Sequence, residues 1–161
     1  MFGLFKSEPV RDVQLGELRR SGGYWRGSVE LVPCGTFRLS LPGSRKAPDP
    51  AARRLATELP GRFKALMPKI QGGLFEHYAP YKEAVDEGEQ TGSPCPNIAG
   101  PEGVWPYVTP AHVLIEPMRL GGSPTVEIAF RVEWDVEHTV AAMYQDWQFM
   151  ELNGSVRGRS R

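Results

Sequence analysis

With 161 residues, 40% of them hydrophobic and 24% charged, the chain can bury a sizeable core and is too apolar for disorder in its body. Its 19 Lys and Arg balance 19 Asp and Glu. That balance excludes the basic excess of a general nucleic-acid binder and the polybasic stretch of a membrane anchor.

One domain over residues 1–161 is expected, with 1–12 as a loose arm and the basic tail 157–161 as a frayed end. The opening Met1-Phe2-Gly3-Leu4-Phe5 is too short an apolar run for a signal peptide. No stretch approaches the roughly 20 apolar residues of a membrane span. A cytoplasmic location follows as the expectation, and with it Cys34 and Cys95 read as free thiols.

Residues 13–19 alternate weakly and read as an edge strand. Trp25, Gly27, Val29 and Leu31 then share one parity, and Phe37, Leu39 and Leu41 share another. Pro33-Cys34-Gly35 between them is turn chemistry, so this is a hairpin. Asp49-Pro50 is a helix start, with a capping carboxylate before a proline whose missing N–H costs nothing there. Apolar residues follow at Leu55, Leu59, Phe63, Leu66, Ile70, Leu74, Tyr78 and Tyr81, the three- and four-residue steps of an amphipathic helix. Pro60, Pro68 and Gly72-Gly73 interrupt it, predicting two helices or one sharply kinked helix over about 50–85.

Residues 86–104 read as an exposed loop. Strands are expected at His112–Met118 and at 124–134, where Val126, Ile128, Phe130, Val132 and Trp134 form one face. Two further segments, 139–144 and 148–154, complete a meander. The fold class is therefore α+β: an antiparallel sheet of about five or six strands with the helical segment on one face.

The chemistry-bearing stretch is Trp134-Asp135-Val136-Glu137-His138. Keeping Ile128, Phe130 and Val132 beside apolar partners pairs them with Tyr144, Ala142 and Val140. Trp134 then faces His138, and Asp135–Glu137 form a three-residue loop, with Glu137 or Glu133 holding the imidazole. Candidate catalytic residues are His138, Glu137, Asp135 and His77, with His112 more remote. A catalytic metal needs about three converging ligands, which one turn does not supply, so no metal and no cofactor are expected. A structural turn is the preferred reading.

Trp25-Arg26-Gly27-Ser28-Val29 and Trp134-Asp135-Val136-Glu137-His138 give the chain a resemblance to a family of uncharacterised bacterial domains. That family carries W-x-G-x-V near its start and W-D-x-E-H-G in a terminal β-meander, and Thr139 departs from it where glycine is usual. The resemblance spans Val13 to Val156. It implies an α+β fold and supplies no activity, although similar small bacterial domains look like immunity or interaction proteins of toxin systems. The expectation is a protein-interaction module whose partner is another protein, with neither nucleic acid nor membrane bound. The alternative is a small hydrolase or metal-dependent enzyme centred on Asp135, Glu137 and His138. Oligomeric state is not legible.

Overall fold

A computed structural model describes residues 6–117 and 122–156, so Met118 and the tail 157–161 lie outside it. Among the described residues, eight strands form one sheet in chain order: β1 (Val10–Asp12), β2 (Gly16–Ser21), β3 (Tyr24–Leu31), β4 (Gly35–Leu41), β5 (Val108–Glu116), β6 (Thr125–Val132), β7 (Asp135–Gln145) and β8 (Gln148–Val156). One helix, α1 (Pro50–Asp86), lies between β4 and β5 in the chain. Single 3-10 turns at Pro101–Gly103 and Trp105–Tyr107 precede β5.

The α+β layout is as expected, but the strands number eight rather than five or six. Val10–Asp12, expected within a loose arm, is a strand paired with β2. Neighbours are antiparallel except β4 and β5, which run parallel. A parallel pair needs a long crossover, and α1 provides it. Gly22 and Gly23, at φ 59° and 84°, make the two-residue turn between β2 and β3, a conformation glycine adopts without strain.

The strand faces follow the sequence pattern. Trp25, Leu31, Phe37, Leu41, Val113, Ile128 and Phe130 are buried on the side that α1 covers. Phe37 meets Phe63 of α1 edge-on at 6.3 Å between ring centroids and Phe130 at 5.5 Å. The opposite face holds a small buried patch of Ala111, Ala129 and Ala141 between polar side chains.

α1 is one helix of 37 residues, not two. Asp49 caps it as expected, its carboxylate accepting the Ala52 N–H at 2.9 Å. Pro60, Pro68 and Pro80 all lie inside it and all are exposed. The backbone bonds they forgo fall on the solvent side, where water can replace them, while Leu59, Phe63, Ile70, Leu74 and Tyr78 anchor the opposite side in the core. Leu66, part of the expected apolar stripe, is half-buried at its margin. Gly73 faces β8: a Cβ there would come within 3.0 Å of a Leu152 methyl.

The segment after α1 is less free than its composition suggested. Tyr78 Oη donates to Pro96 O at 2.6 Å and accepts from Ile98 N at 3.1 Å, and Ile98 and Val104 are buried. Both cysteines are free thiols. Burial pushes the Cys34 thiol up to about 11, so it is not a reactive thiolate.

Candidate functional site

The β6–β7 corner differs from its expected register by two residues. Val126, Ile128 and Phe130 pair with Tyr144, Ala142 and Val140. The apolar face is preserved, because a slip of two keeps every side chain on its side. Val132 then pairs with Asp135, so the tight turn is Glu133-Trp134. Between that pair and Arg131↔Thr139, β7 bulges outward by three residues, Val136 to His138. The acidic-histidine stretch is thus a bulge beside a turn. Bulges re-aim side chains at the ends of strand pairs.

Asp135 is the centre of the corner and is only 4% exposed. Its Oδ1 accepts from the His138 backbone N–H at 3.2 Å, which closes the bulge. The His138 imidazole Nδ1 lies 3.0 Å and 3.1 Å from its two carboxylate oxygens. Tyr81 Oη, from the last turns of α1, donates to Oδ2 at 2.7 Å. Asp135 therefore holds the imidazole, where Glu137 or Glu133 had been expected; both glutamates are exposed.

The electrostatics follow from these contacts. Burial alone would raise the Asp135 carboxyl, but the hydrogen bonds from Tyr81 and His138 outweigh it and hold the group below the usual carboxylate value. The Tyr81 hydroxyl is driven up to about 12, first by burial and then by the bond to Asp135. Tyr81 stays protonated and Asp135 stays charged at neutral pH.

His77 sits one turn before Tyr81 on α1. Its Nδ1 accepts the Trp134 indole N–H at 3.0 Å, which places the ring proton on Nε2. Burial depresses its pKa, the Asp135 charge pulls the other way, and His138 adds to the depression. Trp134 is fully buried and stacks edge-on against Tyr78 at 5.4 Å. His77 is thus tied to the corner through Trp134 rather than facing His138 as a second ligand.

Asp135, Glu133, Glu137, His138, Arg131 and Thr139 line an open cleft of about 680 Å³. Of the four candidate residues, Asp135 and His138 bond directly, His77 joins indirectly and Glu137 stands apart. His112, the remote candidate, is on the open sheet face 3.5 Å from Glu127. Among the described residues no group of three or more His, Cys, Asp or Glu is placed to hold a metal. Tyr81 was read from the sequence only as part of the apolar stripe. Its spacing of four from His77, which puts both on one helix face, was the available signal.

No helix among the described residues is long and apolar enough to cross a membrane. No curated protein and no solved structure matches the chain. Residues 14–157 match the family described as Domain of unknown function (DUF6985), nearly the span over which the sequence resembled an uncharacterised family. With that match covering most of its length, the chain belongs to the DUF6985 family.

Proposed function

We propose that this domain is a protein-interaction module of the bacterial cytoplasm, immunity-like in that it binds one partner protein and transforms no substrate. The observation that carries this reading is the division of charge within a neutral chain. Residues 1–69 hold 13 Lys and Arg against six Asp and Glu, while residues 70–156 hold three against 13. The negative half gathers at one corner. Glu83 and Asp86 end α1, Glu87 and Glu89 follow it, and Glu133 and Glu137 stand on the β6–β7 turn and bulge, all exposed. Tyr81–Asp135 and the Val136 N–H to Ser93 Oγ bond at 3.3 Å bring the three segments together. Val136 is 65% exposed among these carboxylates. A partner with a basic surface suits this corner, because complementary charge steers encounter and selects the partner.

The test is recovery of a partner with the native chain from its host at low salt. One protein should be retained by the wild type, and lost both at about 0.5 M salt and with Glu133→Lys/Glu137→Lys. Recovery of no partner, or retention insensitive to both changes, sinks the reading.

A second reading has one observation in its favour. With Nδ1 committed to Asp135, His138 Nε2 is the nitrogen left for the cleft, the arrangement of a carboxylate-oriented general base. Hydrolysis of ester, amide or phosphoester substrates that His138→Gln removes while the fold persists would support it. The absence of turnover by the wild-type chain would count against it.

A further inference from the structure

We propose that the outward face of α1 is a self-complementary surface on which a second copy of this chain docks with its helix antiparallel. The proposal shares only Glu83 and Asp86 with the acidic corner above, and its test reads self-association of the purified chain, so it stands or falls separately from the partner reading.

The exposed charges of α1 are separated along its length. Its first half presents Arg54, Arg62, Lys64 and Lys69, with the half-buried Glu58 as the acidic exception, and its second half presents Glu76, Glu83 and Asp86, with the half-buried Lys82 as the basic exception. This order opposes the helix dipole, which favours acids at the start and bases at the end. The first turn of α1 has no acidic residue and the last has no basic one. A lone helix gains nothing from that arrangement. Two such helices side by side and antiparallel gain twice: each basic half meets an acidic half, and the two dipoles also oppose.

The spacing supports a twofold axis near Ile70. A twofold interface needs the same patch on both partners. Lys64 and Glu76 stand six residues on either side of Ile70, and Arg54 and Asp86 stand sixteen. Pro68 and Gly72 lie two residues either side, and Gly61 and Ala79 nine. Small residues therefore face small residues, and opposite charges stand at equal distances from the centre. The Asp146-Trp147 turn touches the flank of α1 at Glu58 and Arg62, and Gly72 is half-buried in a cleft shared with β8, while Arg54, Gly61, Lys64, Pro68, Glu76, Ala79 and Asp86 stay exposed.

From Arg54 to Asp86 the helix is about 48 Å long, and with a width of about 10 Å it covers roughly 500 Å² per partner. That is near the lower bound for a specific interface. The dimer is accordingly weak and salt-sensitive.

Sedimentation equilibrium on the purified full chain tests this. At about 50 mM salt the wild type should form a dimer with a Kd in the range of roughly 10–100 μM, and at about 1 M salt it should be monomeric. Lys64→Glu/Lys69→Glu and Glu76→Lys/Glu83→Lys change exposed side chains and should fold as the wild type does, checked by circular dichroism. Each variant alone should dimerise at least about tenfold more weakly. Mixed in equal amounts they should form a heterodimer, since each then meets the opposite charge. A monomeric wild type at about 300 μM overturns the proposal. So does a dimer indifferent to salt, a mixture no tighter than either variant alone, or a mass that keeps growing beyond two copies, which would mean head-to-tail association.

Discussion

Asp135 binds three groups from two elements: the His138 N–H, the His138 ring and the Tyr81 hydroxyl. Removing the ring leaves the backbone cap and the Tyr81 bond in place. His138→Ala should therefore cost about 1–2 kcal/mol in urea unfolding, since one partner of a charged hydrogen bond is lost. Asp135→Ala should cost more, because it strands both the bulge N–H and Tyr81. Equal costs would mean that Asp135 works through His138 alone. His77 gives a pH signature. Its folded pKa lies below the ordinary 6.5, so the neutral form is favoured in the fold. Its contribution to stability is complete above 6.5 and is lost as pH falls below that value, through the lower folded value. His77→Gln keeps an acceptor for the Trp134 indole and does not titrate. It should lose less stability than the wild type between pH 7.5 and 5.5, and parallel losses would show that His77 takes no part.

At the scale of elements, α1 carries the strongest conflict between local preference and packing. An interior proline costs about 3 kcal/mol, yet three are tolerated because the opposite stripe is buried. Pro68 is exposed and in the middle of α1. Pro68→Ala should raise stability by about 1–2 kcal/mol, the regained backbone bond being offset in part by a freer unfolded chain. A lower thermal midpoint for that variant would mean that the proline shape of α1 is needed by the sheet beneath it. In the sheet, Phe130 is fully buried between the rings of Phe37 and Trp105. Phe130→Ala should cost about 3–5 kcal/mol in chemical denaturation. The β7–β8 turn is a further element-level conflict, with Asp146 and Trp147 at φ 49° and 59° where glycine is usual. Trp147 is held there by its indole bond to Glu58 at 3.3 Å and by Arg62 over its ring.

For the whole molecule, two carboxylates join α1 to the sheet near its two ends. Asp12, at the end of β1, accepts from Arg53 Nε at 2.5 Å and from the Gln14 and Leu15 N–H groups. Asp135 accepts from Tyr81 near the other end. Burial raises both carboxyls, but their hydrogen-bond donors pull them below the ordinary 3.8. The sign is that of a depressed acid: stability is fully present above 3.8 and is lost as pH falls below it, through the folded values. The fold should therefore weaken as pH falls below 3.8. Asp12→Asn/Asp135→Asn should flatten that acid limb. The anchors are 28 residues apart along α1, about 42 Å, so the two single costs should add within about 0.5 kcal/mol. Strong non-additivity would mean that the helix docks as one rigid unit.

The faces of the strands and the start of the helix were legible in the sequence. These depend on local period and local chemistry. Trp25, Phe37 and Phe130 point inward because alternation puts them there, and Asp49 caps because it precedes Pro50. Register was not local: a slip of two residues leaves every face unchanged, so only the packing of the whole corner chose Val132↔Asp135. The continuity of α1 through its prolines was decided by burial against the sheet, and the parallel β4–β5 pair by where that helix returns the chain. The candidate site was half legible. Asp135 and His138 were visible as neighbours three residues apart, but Tyr81 lies 54 residues before Asp135, and only the folded layers bring its hydroxyl to that carboxylate.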